Sequence, residues 1–375
     1  MTDIGFVRSE LVPAKPAPNR TSGAIVWMQK NLFATPMDAL LTVLGALFLL
    51  WIVPPLFNFV IGHAVGPMGT VEECRAIEAG ACWAYIYNEM EFFIYGFYDI
   101  PQQWRPNLVF VMGALLFVPL LMPKLPYKRL NAALFLFVYP IVSYFLLAGG
   151  VFGLSPMPTE KWGGLLVTLI ISVVGITLSF PLGIILALGR QSSLPVIKTL
   201  CVAFIELIRA VPLITILFMA SIMLPLFMPQ GTTVDKLLRA LVGVTLFTSA
   251  YMAEVVRGGL QAIPRGQYEA AASLGLGYWQ RMYFIILPQA LKHVIPGIVN
   301  NFIALFKDTS LVYIVGMKDL LEAVKTKNDS ALEWQSANTA TTGYLFAAMV
   351  FWVFCFSMSR YSMFMERRLN TGHKR

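Results

Sequence analysis

The sequence predicts an all-α, polytopic membrane helix bundle with about eight transmembrane helices. Three observations predict it. Of 375 residues, 57% are hydrophobic and only 13% charged, with a mean hydropathy of +0.69. A soluble domain carries about 25% charged residues, so too few charges are present to cover a soluble surface. The apolar residues gather in runs near the ~20 residues a spanning helix needs. Such runs also exclude an outer-membrane barrel, whose strands alternate.

The spans follow in order. Residues 39–61 form the first run and 108–122 a short second one, with 130–152 the third. Residues 164–188 are the fourth, and 197–227 the fifth, interrupted by Pro212 and Pro225. The sixth is 237–256, the seventh is the short 294–306 with Pro296 near its start, and the eighth is 342–364. A Pro- and Gly-rich stretch, 152–163, divides three spans from five. The chain therefore divides into a leader (1–36), an amino-terminal block (37–155) and a carboxy-terminal block (156–375). No cleavable signal peptide is visible. Within the leader, 25–33 carries Trp27, Lys30 and Phe33, which suits a short helix in the headgroup layer. A disordered tail suits it equally.

Orientation follows from Lys and Arg. With the amino terminus inside, cytoplasmic segments outnumber external ones in these residues about two to one, and both termini are cytoplasmic. The net charge of +8 then reflects loop asymmetry. No basic stripe interleaved with aromatics points to nucleic acid. The loop 63–107 falls outside and is acidic, with Glu72, Glu73, Glu78, Glu89, Glu91 and Asp99. It holds Cys74 and Cys82, for which a disulfide and two free thiols are both open. Cys201 and Cys355 lie in apolar runs and read as inert core residues.

One cytoplasmic loop differs from the rest. Residues 257–292 contain Glu269-Ala270-Ala271, then Gly275, then Ile285, Leu287 and Pro288. Residues 267–274 read as a short helix with Glu269 at the positive end of its dipole. Alanines 270–272 leave one side smooth. Gly275 and Gly277 can take the positive φ that ends a helix. A second helix, 278–287, stops at Pro288. A smooth helix pair of this kind suits a partner's groove, or is a structured loop without a partner.

The pattern EAA, three residues, Gly, nine residues, Ile-x-Leu-Pro is the signature loop of permease subunits of bacterial ABC importers, and 269–288 fits it without a gap. The segments AYMAEVVRGGLQAIPRGQYEAAASLG (250–275), FIELIRAVPLITILFM (204–219) and KDTSLVYIVGMKDL (307–320) resemble the polar amino-acid branch, the histidine/glutamine/general amino-acid permeases. This resemblance covers about 160–370. The leader NLFATPMDALLTVL (31–44), the three extra spans and the Cys74–Cys82 loop resemble the longer permease of general L-amino-acid importers.

The resemblance implies a five-helix importer-permease core and a machine around it. A paralogous permease, a dimer of cytoplasmic ABC ATPases and a periplasmic amino-acid-binding protein complete it, in the inner membrane. Gly266, Glu269, Ala270, Ala271, Gly275, Ile285, Leu287 and Pro288 then form the ATPase-coupling set. ATP and Mg belong to the partner, since this chain has no phosphate loop of the Gly-x-x-x-x-Gly-Lys-Ser/Thr kind. The chain itself is expected to be non-catalytic and without cofactor. Its histidines, His63, His293 and His373, are far apart, so no metal site is expected.

Charged residues inside spans are costly and become candidates for the substrate path. Glu206 and Arg209, then Glu254 and Arg257, stand at i, i+3; Lys307 and Asp308 precede Thr309 and Ser310. Asp308 is placed to accept an amino-acid ammonium, and Thr309, Ser310 or a backbone amide to meet its carboxylate. The first two pairs read equally as ion pairs that fix the bundle, and Lys307–Asp308 as a solvated helix end. In the family, one of two paired permeases can lack a full substrate site. Two rivals differ in class. An ion-coupled secondary transporter wants inverted repeats, which the chain lacks, and a membrane enzyme wants a clustered nucleophile and base, which it also lacks.

Overall fold

The computed structural model describes residues 23–122, 125–229 and 234–369. Most of the leader, Lys124, and the tail with His373, Lys374 and Arg375 lie outside the described residues. The chain forms two compact units.

The first unit takes residues up to Ala64, with Ala79–Ala81. Helix α1, Ala24–Asn31, occupies the stretch expected to be helical or disordered. Helix α2, Pro36–Phe57, starts with a capping box between Thr35 and Asp38. It runs on through a π-turn, Asn58–Gly62, which gives the first expected span. Its apolar character is uniform around the axis, and none of its residues is buried.

The second unit takes Val65–Glu78 and everything from Cys82 onward. The stretch read as a long loop is largely helical: α3 is Val71–Ala76 and α4 is Trp83–Tyr95. Cys74 and Cys82 are joined by a disulfide, with Cα atoms 5.5 Å apart. Next come α5, Trp104–Leu121, α6, Lys128–Ala133, and α7, Tyr139–Ala148. A π-turn joins α6 to α7. This third span ends at Gly149, whose φ is 65°, a few residues short of expectation. Helix α8 is Gly164–Arg190.

The fifth span is broken. Helix α9, Pro195–Ala210, and α10, Leu213–Phe218, meet at a 102° bend. Pro212 has no N–H to continue the ladder and keeps the preceding residue extended. Pro225, expected to interrupt as well, does not. It sits at the start of α11, Leu224–Leu226, where a missing N–H costs nothing. Helix α12 is Lys236–Ala262, longer at its end than the apolar run suggested.

After α12 come α13, Arg265–Ser273, α14, Tyr278–Arg281, and α15, Leu287–His293. Then follow α16, Ile295–Asp308, α17, Leu320–Ser330, and α18, Ala337–Leu369. A 3-10 turn, Thr309–Val315, extends α16. Among the described residues, seven helices are long and apolar enough to cross a membrane, or eight if the bent pair is one span.

Helices α8 and α12 pack side by side and set the frame. Each has 27 residues, about 40 Å at 1.5 Å per residue. At one end Gly164 bridges Asp319 and Lys236 meets Glu160 at 3.0 Å. At the other, Arg190 meets Glu254 at 2.8 Å. In the cap, α4 packs on α17 and α18 at the Asp319 end, and α3 on the turn Leu332–Trp334. Tyr85, Phe93 and the disulfide share an apolar cluster there with Leu320, Val324, Trp334 and Ala347. The Tyr85 hydroxyl donates to Asn328 Oδ1 at 2.8 Å, and burial pushes that phenol's pKa up.

Candidate functional site

The first component is the helix after α12. Ile263 is extended and Pro264 restarts the chain, so α13 turns off the end of the span. It begins two residues earlier than the sequence suggests. Glu269 therefore sits mid-helix rather than at the dipole's positive end, and no acidic residue lies in the first turn. Ala271 is buried while Gly266, Glu269, Ala270 and Ala272 are exposed, which leaves an open, nearly smooth face. The helix ends at Gly275, with φ of 74°. That value suits glycine, because a Cβ would crowd the backbone. A Cβ built there meets nothing within 4 Å beyond its immediate chain neighbours, so the requirement comes from the local backbone conformation and not from packing. Gly277 does not take positive φ. It is extended at −66°, 167° and caps α14, with its N–H donating to Gln280 Oε1 at 3.0 Å.

Helix α13 is fastened to its neighbours. The Tyr268 hydroxyl donates to the Leu260 carbonyl at 3.2 Å, and burial raises that hydroxyl's pKa, which keeps it a donor. Gln289 Nε2 donates to Gln267 Oε1 at 3.2 Å. Gly259 of α12 lies so near α15 that a Cβ would stand 2.6 Å from the Ala290 carbonyl oxygen. Ile285 and Leu287 pack against the apolar cluster of Val256, Leu260, Met282 and Ile286. Pro288, expected to end the second helix, does not. A π-turn, Met282–Ile286, re-registers the ladder so that Pro288 falls in the first turn of α15.

The second component is an ion cluster just inside α13, where α8, α9 and α12 meet. Arg257 donates from Nη2 to Glu254 Oε2 at 2.8 Å. Arg190 Nη1 stands 2.8 Å from Glu254 Oε1 and donates to Glu206 Oε1 at 2.8 Å. Arg209 Nη1 is 3.5 Å from Glu254 Oε2, its guanidinium 5.5 Å from the Tyr251 ring centroid. The i, i+3 spacing thus holds as a pair at Glu254–Arg257. It does not at Glu206 and Arg209, whose partners lie on other helices. Arg190 escaped the sequence reading because a lone Arg at a span's end reads as snorkelling.

The third component lies at the opposite end of α8. A cavity of about 200 Å³ opens between α16, α17 and α18, lined by Lys307, Ser310, Leu321, Tyr344, Ala347, Ala348 and Phe351. The Ser310 hydroxyl donates to the Lys307 carbonyl at 3.0 Å. Asp308 follows Lys307 in the chain and is half-buried, but it is not among the residues that line the cavity. Thr309, expected beside them, does not line the cavity. Its hydroxyl bonds back to the Phe306 carbonyl at 2.8 Å and the residue is buried, a local bond that Thr makes readily as a helix tightens. Tyr344 was missed, because its polar tip is hidden in the apolar run of the last span.

The chain is similar to known membrane transport proteins. The family model described as "Binding-protein-dependent transport system inner membrane component" matches residues 179–371. The chain is 50% identical over 361 residues to the "Inner membrane amino-acid ABC transporter permease protein YhdY" of Escherichia coli (strain K12), covering 96% of this chain and 97% of the relative. It is 41% identical over 440 residues to the "Glutamate/glutamine/aspartate/asparagine transport system permease protein BztC" of Rhodobacter capsulatus, covering 100% of each. A solved chain described as "Crystal structure of an amino acid ABC transporter with histidines" shares 30% identity at a TM-score of 0.48, over 55% of this chain and 92% of that one.

Proposed function

Because the chain belongs to the binding-protein-dependent inner membrane components, and within them to the amino-acid ABC transporter permeases, we propose that it carries L-amino acids from periplasm to cytoplasm by alternating access driven by a separate ATPase dimer. It is a multi-pass membrane permease subunit and not an ion-coupled carrier. The observation that carries the mechanism is the lever. Helix α13 is exposed on its outer side and fastened to α12 on its inner side by Tyr268. A force applied by a partner to Glu269, Ala270 and the Gly275 turn therefore reaches the span directly.

The remaining roles follow from this one. Nucleotide and Mg stay on the ATPase, which grips α13 on the cytoplasmic side, where both termini also lie. A paralogous permease completes the pathway, and a periplasmic amino-acid-binding protein delivers cargo at the α17 end. There, Lys307 and Ser310 offer a carboxylate a cation and a polar oxygen, and Asp308 offers an ammonium an acceptor. A ligand must interact differently with two states to be moved between them. On this reading, the lever at one end of the bundle switches the site at the other between those two states. The cap α3–α4 braces the docking side.

Reconstitution tests the reading. Proteoliposomes holding this permease, its paired permease and the ATPase, supplied with binding protein, take up labelled amino acids when ATP is inside. Uptake that follows an imposed proton or sodium gradient with no ATP overturns it.

A further inference from the structure

Glu254 is the acidic side chain that α8, α9 and α12 share. Three arginines surround it: Arg190 from the last residue of α8, Arg209 from the last turn of α9, and Arg257 from its own helix. Glu254 keeps 15% of its side-chain exposure, against 54% for Glu206, so Glu254 is the hub and Glu206 the rim. Cations outnumber carboxylates in the cluster. One arginine can therefore leave without stranding a buried carboxylate, which is the costly event in a partly dry site.

The geometry says which arginine leaves. Arg257 and Arg190 hold Glu254 at 2.8 Å each. Arg209 is at 3.5 Å and shares Oε2 with Arg257. It also stands at the elbow of the broken span, followed by Ala210, Val211 and Pro212, where α9 turns 102° into α10. On the other side, α12 is geared to α13 through Tyr268 and Leu260. It also touches α15, backbone against backbone, at Gly259 and Ala290.

We propose that the Glu254–Arg209 contact is the joint through which displacement of α13 reaches the elbow at Pro212, with Arg190 and Arg257 holding Glu254 in both states while Arg209 engages and releases. Arg209 is on this account a positioning residue and makes no substrate contact. The proposal rests on the reading of the chain as an ATP-driven permease.

The test uses the complete reconstituted transporter with Arg209→Gln and, in parallel, Arg209→Lys. In the Gln variant the complex assembles and hydrolyses ATP, the substrate concentration for half-maximal uptake stays as in the parent, and uptake per ATP hydrolysed falls roughly ten-fold, within the usual span of coupling effects. The Lys variant, which keeps the charge, recovers part of that ratio. An unchanged ratio in the Gln variant overturns the proposal. So does a raised half-saturation at unchanged ratio, which marks a ligand contact. Loss of assembly in both variants also overturns it, because Arg190 and Arg257 each stay paired with Glu254 at 2.8 Å without Arg209. The parent complex run alongside separates the two claims. If its uptake needs no ATP, the permease reading fails first.

Discussion

The hydroxyl of Tyr268 donates to the carbonyl of Leu260 at 3.2 Å, tying the exposed helix α13 to the end of α12. Leu260 lies in the last turn of that 27-residue span and is buried. Helix α13 therefore does not swing freely on Pro264. It moves with the span or breaks a hydrogen bond worth about 1 kcal/mol.

Gly275 closes this lever with φ of 74°. Gly275→Val imposes a left-handed backbone cost of about 1–2 kcal/mol, while its Cβ meets no other part of the chain within 4 Å. The complex is expected to purify intact, with uptake in proteoliposomes falling steeply while ATP hydrolysis continues. Parental uptake in that variant contradicts the lever.

At the opposite end, half-buried Asp308 follows Lys307, which lines the cavity. Asp308→Asn removes the negative charge while keeping the shape. Loss of a charge-assisted contact costs about 1.5–3 kcal/mol, so the half-saturating amino-acid concentration should rise by about ten-fold or more. Kinetics equal to the parent remove Asp308 from the path.

The disulfide between Cys74 and Cys82 closes a short loop on the cap. Mass spectrometry without reductant is expected to find the bridged peptide. Replacing both cysteines with Ser should lower the cap's stability by about 2 kcal/mol, read as earlier protease cutting within α3–α4. Free thiols in protein made under oxidising conditions contradict the pairing.

Asp319 caps α17, accepting from the N–H groups of Leu321 and Glu322 at 3.1 Å each. Burial pushes its pKa from 3.8 up to about 6, against the pull of those same bonds. The folded protein thus binds this proton more tightly than the unfolded chain. The resulting stabilisation is complete below the unfolded value and is lost as pH rises through about 6. The thermal midpoint in detergent should fall from pH 5 to pH 7.5 by more in the parent than in Asp319→Asn, which keeps a capping oxygen. Equal slopes contradict the assignment.

The spans were legible because a bilayer demands long apolar runs, and the break at Pro212 because proline has no N–H to give. The π-turn at Met282–Ile286 was not legible. Proline marks a helix start as readily as a stop, and only the shifted ladder shows which at Pro288. The cap helices were hidden because their apolar faces are set by contacts with Leu320 and Val324, far away in sequence. For the same reason Glu206 read as a partner of Arg209. Spacing along one helix cannot reveal Arg190, which comes from another.

The most direct measurement places a photo-reactive phenylalanine analogue at Leu274, 74% exposed at the tip of α13, in the assembled transporter. Irradiation is expected to join this chain to the ATPase subunit, with the yield changing when ATP binds. A transporter that remains active but gives no adduct to the ATPase in any nucleotide state contradicts the account.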